Sequence, residues 1–418
     1  MSGTPSAITW PRYSDFAVPR IVDETLREGV ERCMFPVDSD RLFALLRRMV
    51  DAGLREFVVG SGPEDPELYV RLCRARDSGE LPPDVMPTFL VLLNCWDATL
   101  ATFRKIPRSW IAETTFSFGM IPHKQEERLF ERVLQEFMRL GAQHLKVSIL
   151  NNFSRQIDDR QYAIITKQID WAYSLGIRTI RINDSVGKLY PEATAELCRA
   201  LVSDYPDVVF CLHCHNDRGL ALANQLVSIY NGFSMVEGSL CGYGNRSGIS
   251  PIEMLVPICQ DKNITLGQVP IGQARLCEAA QLAEETFLQV PAVFRPVSGR
   301  YVKKANFGVL NIPDFLEADG ERDYFLNILN IHPNTIRKAL RQGGLDRALL
   351  DNREYIDAVG DRLRQAIEAR YQQQVAAYDV LNRSIADLYE GTQMSVSDLV
   401  GIAVQVAEEH GRGLARAS

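Results

Sequence analysis

The sequence predicts an α/β protein: a (β/α)8 TIM barrel at residues 19–265, followed by a helical C-terminal region at residues 266–418 and preceded by an arm at residues 1–18. Short, apolar, β-branched segments alternate with longer amphipathic ones, which is typical of parallel strands joined by crossover helices. Eight such units within about 250 residues favour a closed barrel over an open sheet. The chain also lacks the GxGxxG and GxxxxGK[ST] loops that open nucleotide-binding sheets often carry.

The strand-like segments have the length and residue types of buried strands. Each is rich in valine, isoleucine, phenylalanine and threonine, and turn residues bound it. The eight predicted strands are Ile21–Leu26, Glu56–Gly60, Met86–Leu93, Ala112–Phe118, His144–Leu150, Thr179–Asp184, Val208–His215 and Met235–Leu240.

Helices are predicted between the strands and after the barrel. Gly53, Gly141 and Gly176 each follow an amphipathic segment, where a glycine commonly ends a helix. The predicted helices are Asp40–Ala52, Lys124–Leu140, Arg160–Leu175, Pro191–Val202, Gly219–Tyr230, Gln273–Gln289, Phe325–Arg341, Tyr355–Tyr389 and Val396–His410.

Composition excludes several classes of function. The net charge of −7 argues against a general nucleic-acid role, which needs a basic face. No apolar run approaches the roughly 20 residues of a membrane helix, and the N-terminus lacks the pattern of a secretory signal. The nine cysteines are scattered without a repeated spacing, so we expect reduced thiols and a cytoplasmic location.

Two histidines stand at the end of predicted strand 7. Because strand side chains alternate with a period of two, His213 and His215 point to the same side and Cys214 points to the outer helices. The carboxyl ends of the strands form the active-site face of such a barrel. Predicted strand 1 brings Arg27 and Glu28 to the same face.

Two imidazoles and one carboxylate predict a divalent metal site that leaves coordination positions open. The ligands are Glu28, His213 and His215, and Mg²⁺, Mn²⁺ or Zn²⁺ would suit them. A 2-oxo acid fits the open positions, since its carboxylate and keto oxygens form a five-membered chelate. Arg27 would stabilise the negative charge that develops on the keto oxygen.

Four motifs in order resemble the DRE-TIM metallolyase superfamily, and homocitrate synthase most of all. They are Asp23-Glu24-Thr25-Leu26-Arg27-Glu28-Gly29, Asn183-Asp184-Ser185-Val186-Gly187, His213-Cys214-His215-Asn216-Asp217 and Gly242-Tyr243-Gly244-Asn245-Arg246. The resemblance implies a divalent cation on Glu28, His213 and His215, with Arg27 as the polarising cation. It also implies Lys146, Ser148, Ser185 and Asn245 as contacts to the oxo acid.

The sequence departs from the condensing members of that superfamily at their proton-abstracting groups. Leu150 stands where those enzymes carry a glutamate, and Ala305 and Leu310 stand where they carry two histidines. The candidates for a replacement base are His332, Asp184 and His123. For His332 a helix-capping role is an alternative.

Three functions are open at this point. The first is an acyltransferase that condenses an acyl-CoA, in the simplest case acetyl-CoA, with a 2-oxo acid. The second is a lyase or aldolase that cleaves a carbon–carbon bond, with Cys241 as an acid or base. The third is a catalytically inactive relative with a binding or regulatory role. The resemblance also implies a homodimer, with the helical region as the contact.

Overall fold

The eight predicted strands form a closed parallel barrel, so the predicted fold class is confirmed. The computed structural model describes residues 13–33, 36–62, 66–120, 127–151, 157–302, 305–306, 324–325 and 331–410. The barrel strands are β1 Arg20–Asp23, β2 Glu56–Ser61, β3 Met86–Val91, β4 Thr115–Met120, β5 His144–Asn151, β6 Thr179–Asp184, β7 Val209–Cys214 and β8 Met235–Gly238.

Each strand pairs in parallel with the next one along the chain, and β8 closes the ring against β1. In that last pair Arg20 lies opposite Met235 and Asp23 lies opposite Gly238. The carboxyl ends of all eight strands therefore meet at one face of the barrel, which places His213 near the residues that follow β1.

Alternation along the strands separates two environments. On β4, Phe116 and Phe118 belong to the large apolar core that contains the outer helices, whereas Ser117 lies on the opposite face of the strand. A small apolar cluster inside the barrel contains Val22, Val58, Cys211 and Met235. Two positions further toward the carboxyl ends stand Glu24, Gly60, His213 and Glu237, so three of these four positions carry a buried polar side chain above the apolar cluster.

The helices have the following bounds: α1 Thr25–Arg32, α2 Ser39–Asp51, α3 Glu67–Asp77, α4 Trp96–Phe103, α5 Arg108–Ala112, α6 Glu127–Leu140, α7 Asp159–Ser174, α8 Pro191–Asp204, α9 Ala221–Tyr230, α10 Ile252–Asp261, α11 Gln273–Thr286, α12 Pro333–Gln342, α13 Arg347–Asp351, α14 Arg353–Glu390 and α15 Val396–Glu409. Gly53, Gly141 and Gly176 follow helices with φ values of 109°, 120° and 83°. Their predicted role in helix termination is confirmed. None of the helices described here is long and apolar enough to cross a membrane.

The prediction that strand 1 extends to Leu26 is wrong. β1 ends at Asp23, and α1 begins two residues later. The buried carboxylate of Asp23 accepts hydrogen bonds from Thr25 N at 2.9 Å and from Thr25 Oγ1 at 2.8 Å, which turns the chain at once into a helix. Arg27 and Glu28 therefore project from the first turns of α1, and not from a strand.

The prediction of a helix from Phe325 to Arg341 is wrong in its first part. Tyr324–Phe325 is a short strand that pairs in parallel with Ala305–Asn306. The helix α12 begins at Pro333 with His332 as its N-cap residue. A proline is accommodated in the first turn of a helix and disfavours helical backbone at the residue before it, which sets this start.

The chain divides into two compact units, one of residues 1–33 and 37–302 and one of residues 34–36 and 303–418. This division falls later than the predicted boundary at residue 265, because α11 packs on α2 and on the turn after β8. On the N-terminal side, Ala17–Val18 pairs in parallel with Thr265–Leu266. The arm and the segment after the barrel are thus joined in the first unit.

The hydroxyl of Thr25 connects the end of β1 to the turn after β8, the two strands that close the barrel. It donates to Asp23 and accepts from Leu240 N at 2.7 Å in a buried environment. In Thr25→Val the Asp23 carboxylate and the Leu240 N–H both lose this hydroxyl as their hydrogen-bond partner. We therefore expect the free energy of unfolding to fall by about 1–3 kcal/mol. Thr25→Ser keeps the hydroxyl and is the matched control. Equal melting temperatures for Thr25→Val and the wild type would contradict this role.

Candidate metal centre

The three predicted ligands come together at the carboxyl face of the barrel. Glu28 lies in the first turn of α1, His213 lies on β7, and His215 follows that strand. All three are buried, and one ligand atom from each lies within 4.8 Å of the other two. Glu28 Oε1 is 3.5 Å from His213 Nε2. The two imidazoles meet edge to face, with ring centroids 5.4 Å apart.

This donor set fits a divalent cation. Metal–ligand bonds of about 2.0–2.2 Å bring the donor atoms of one ion to within a few ångströms of each other, as they are here. Nδ1 of His215 is buried and has no hydrogen-bond partner among the described residues. An unpaired buried nitrogen costs free energy, and coordination would remove that cost. Glu28 Oε2 accepts one backbone N–H, from Asn245, at 3.3 Å.

The charged groups around Glu28 and His215 determine the ionisation states of these two predicted ligands. Burial would raise the pKa of Glu28, but the charge of Arg27 and the contact with His213 hold that pKa well below its usual range. Burial and the neighbouring His213 lower the pKa of His215 to about 4. A carboxylate and a neutral imidazole are the forms in which these side chains bind metals.

Arg27 is held by carboxylates on three sides. Its Nε donates to Glu24 at 2.7 Å, one Nη to Glu31 at 2.5 Å, and the other to Glu28. Burial opposes the charge of Arg27, but these three carboxylates raise its pKa well above the usual value. The guanidinium is therefore fixed beside the metal ligand Glu28.

Four buried charged groups in this region were not predicted or were predicted in another role: Glu24, Lys146, Arg181 and Glu237. Lys146 of β5 binds Glu237 of β8 through its ammonium group. Arg181 of β6 lies 2.8 Å from Glu24 and 3.3 Å from Glu237. Arg181 in the middle of β6 and Glu237 in the middle of β8 are charged residues at inward-facing positions of apolar strands. This pattern is visible in the sequence and would have been enough to predict both as buried charged residues.

Glu237 also contacts a metal ligand. Its Oε2 lies 3.3 Å from Nδ1 of His213, on the side of the ring away from Glu28. Burial would raise the pKa of Glu237, but Lys146, Arg181 and His213 hold it well below its usual range. A carboxylate on the far nitrogen of a metal-binding histidine orients the ring and fixes its tautomer.

Asn245 and Gly244 cover Glu28 from the turn after β8. The side chain of Asn245 donates to Glu31 at 2.7 Å, so this predicted site residue lies at the centre. A Cβ on Gly244 would stand 2.7 Å from Glu28 Oε2, so only glycine allows this close approach. The other predicted contacts have these partners: Ser148 Oγ is 3.4 Å from Ser117 Oγ, and the backbone oxygen of Ser185 accepts from Arg246 at 2.7 Å.

Asp184 faces away from the barrel interior. Its two carboxylate oxygens accept the backbone N–H groups of Lys188 and Leu189 at 2.9 and 2.7 Å. Burial raises its pKa against the effect of these hydrogen bonds. The carboxylate thus holds the loop after β6. The predicted outward direction of Cys214 is confirmed, because its Sγ donates to Ala221 O of α9 at 3.3 Å.

The remaining candidates are Cys241, His332 and the two residues outside the described part of the chain. Cys241 directs its Sγ to Ala280 O of α11 at 3.1 Å and to Arg295 at 2.9 Å, and burial raises the pKa of its thiol. His332 lies in the second unit as the N-cap residue of α12, with its ring 2.9 Å from Thr335 Oγ1. His123 and Leu310 lie outside the described residues.

Comparisons with known proteins show what the barrel is similar to. Residues 113–282 match the family model described as HMGL-like. Homocitrate synthase from Sulfolobus acidocaldarius is 25% identical over 324 residues, which cover 73% of this chain and 67% of that relative. Homocitrate synthase from Saccharolobus solfataricus is 26% identical over 241 residues, which cover 56% of this chain and 51% of that relative. The chain thus spans about half the length of the second relative.

Solved structures share the fold. The HMG-CoA lyase from Brucella melitensis superposes with a TM-score of 0.51 at 17% identity, covering 66% of this chain and 100% of that one. The hydroxymethylglutaryl-CoA lyase from Pseudomonas aeruginosa superposes with a TM-score of 0.52 at 17% identity, covering 66% of this chain and 95% of that one. At this identity the likeness shows the barrel alone. Residues 113–282 therefore contain an HMGL-like domain, and the homocitrate synthases are similar to the chain at 25–26% identity.

Proposed function

We propose that this protein is a divalent-metal-dependent acyltransferase that condenses an acyl-CoA, in the simplest case acetyl-CoA, with a 2-oxo acid. The observation that carries the proposal is the convergence of Glu28, His213 and His215 beside the fixed guanidinium of Arg27. The similarity to homocitrate synthases supports condensation as the direction. The HMG-CoA lyase structures support the fold and not the reaction.

Glu28, His213 and His215 would hold the cation, with Mg²⁺, Mn²⁺ or Zn²⁺ as candidates. When bound, the cation supplies Lewis-acid polarisation of the keto group. Arg27 would neutralise the negative charge that the keto oxygen gains. Three of its N–H groups already bind carboxylates, and a guanidinium has five, so two can still donate to substrate.

The reaction would form one carbon–carbon bond and break one thioester. A base takes the proton from the carbon next to the thioester carbonyl, and this carbon then attacks the keto carbon of the oxo acid. The π bond of the keto group breaks, and its oxygen takes up a proton to become the hydroxyl of the product. Water cleaves the thioester, which releases the free thiol of CoA and a 2-substituted malate-like acid. Ser148, Ser185 and Asn245 are the proposed contacts to the oxo acid, and His332 stays a prediction for the base.

Removal of both imidazoles tests the metal site. We expect His213→Ala combined with His215→Ala to lose bound Mn²⁺ or Zn²⁺, because a single carboxylate remains of the three ligands. Metal content after dialysis, measured by mass spectrometry, and titration calorimetry report the loss without reference to activity. His144→Ala, an exposed histidine at the start of β5, is the matched control. Unchanged metal content in the double variant would overturn the site.

A thiol-release assay tests the reaction. We expect metal-loaded protein to release CoA thiol from acetyl-CoA only in the presence of a suitable 2-oxo acid. Arg27→Lys keeps the positive charge but replaces the planar guanidinium and its five N–H donors with an ammonium group. We therefore expect turnover to fall by a factor of about 10²–10³. Equal melting temperatures would exclude misfolding as the cause. Formation of a 2-oxo acid from a hydroxy acid without CoA would instead identify the protein as a lyase.

We also propose a homodimer formed by the helical region. Apolar side chains are exposed along both of its last helices: Tyr371, Val375, Tyr378, Val380 and Leu381 on α14, and Val396, Leu399, Val400, Ile402 and Val406 on α15. A surface of this kind is typical of an interaction site.

Analytical ultracentrifugation at micromolar concentration tests the dimer. We expect the wild type to sediment as a dimer and the pair Tyr378→Glu and Leu399→Glu to sediment as a monomer. Met138→Glu changes an equally exposed residue of α6 and should leave the dimer intact. A monomeric wild type would contradict the proposal.

A further inference from the structure

The charges buried around the metal ligands bear on which 2-oxo acid the site accepts. Three cations and four carboxylates form one connected set: Arg27, Lys146 and Arg181 with Glu24, Glu28, Glu31 and Glu237. Of the seven, only Glu31 is substantially accessible, with 32% of its side chain exposed. With neutral histidines, the set has a net charge of minus one.

A divalent cation would bring this net charge to plus one. A 2-oxo acid with a single carboxylate would then bring it to zero, whereas a 2-oxo dicarboxylate would leave an unbalanced negative charge. Uncompensated charge in a buried site is costly, because few water molecules can solvate it.

The buried cations are also occupied. The ammonium of Lys146 is 1% exposed and binds Glu237. Arg181 is shared between Glu24 and Glu237. At the mouth of the barrel, Arg246 makes a two-point ion pair with Asp217 at 2.8 and 2.9 Å, and Arg218 donates to two backbone carbonyls. Arg181 Nε and two N–H groups of Arg27 have no partner among the described residues, but each of these cations already pairs with at least two carboxylates. A second substrate carboxylate would therefore have to share a cation whose charge is already balanced.

We propose that the site selects 2-oxo acids with one carboxylate and an uncharged side chain over 2-oxo dicarboxylates. Glu237 is the specificity-determining residue, because it balances Lys146 and leaves that cation unavailable to the substrate. This inference rests on the proposed function, since it assumes that a 2-oxo acid binds at the metal.

Binding without turnover tests the selection. Mn²⁺-loaded protein is titrated calorimetrically, in the absence of any acyl-CoA, with 4-methyl-2-oxopentanoate and with 2-oxoglutarate, which are similar in size and differ in the second carboxylate. We expect the monocarboxylate to bind roughly tenfold tighter or more. Glu237→Gln removes one negative charge with little change of shape. We therefore expect the ratio of the 2-oxoglutarate dissociation constant to that of 4-methyl-2-oxopentanoate to fall at least severalfold in this variant. Metal content is measured for each variant.

Glu284→Gln is the matched control, because Glu284 is a buried carboxylate paired with Arg295 outside the set. It should leave the ratio unchanged. Equal or tighter binding of 2-oxoglutarate to the wild type would overturn the selection while leaving the metal-dependent function in place. A wild-type preference that Glu237→Gln does not alter would overturn the role of Glu237. Failure of both acids to bind the metal-loaded protein would overturn the proposed function and this inference with it.

Discussion

The pairing of charges inside the barrel is the constraint on which the candidate site depends. A closed barrel of eight strands has little room for water in its interior, so each charged side chain there needs an opposite charge within contact distance. Glu237 meets this need for Lys146 and Arg181 and contacts His213 as well. One carboxylate of β8 thereby connects β5 and β6 and lies 3.3 Å from Nδ1 of the predicted ligand His213 on β7.

The same constraint explains why Arg27 and Glu28 are on α1. The chain leaves β1 at Asp23 and turns at once into the helix, so Glu24, Arg27, Glu28 and Glu31 project toward the carboxyl face within two helical turns. Residues three and four apart on a helix are neighbours, which lets one guanidinium bind three carboxylates. A longer strand would have directed Arg27 and Glu28 to opposite faces of the sheet.

The sequence was sufficient to predict the barrel, its strands and the convergence of Glu28, His213 and His215, because these follow from local periodicity and from the alternation of strand side chains. His213 and His215 could be predicted to point to the same side, since they are two positions apart on a strand. The partners of Lys146 could not be predicted, because they depend on which inward residues of different strands reach the same height in the barrel. The start of α1 depended on the side chain of Asp23 bonding two groups of Thr25, which no periodicity signals.

The departures from the condensing enzymes lie on β5, which carries Leu150, and in the second unit, which contains Ala305. The retained residues sit on α1 and on β7 and the turn after β8, where burial and ion pairing leave little freedom to change any one of them alone. Ala305 and His332, in contrast, belong to the second unit. Leu150, Ala305 and His332 are not members of the buried ion-paired set, so the proton-transfer group can change while the predicted metal ligands are retained. Loss of the family's usual base is therefore compatible with an intact metal site.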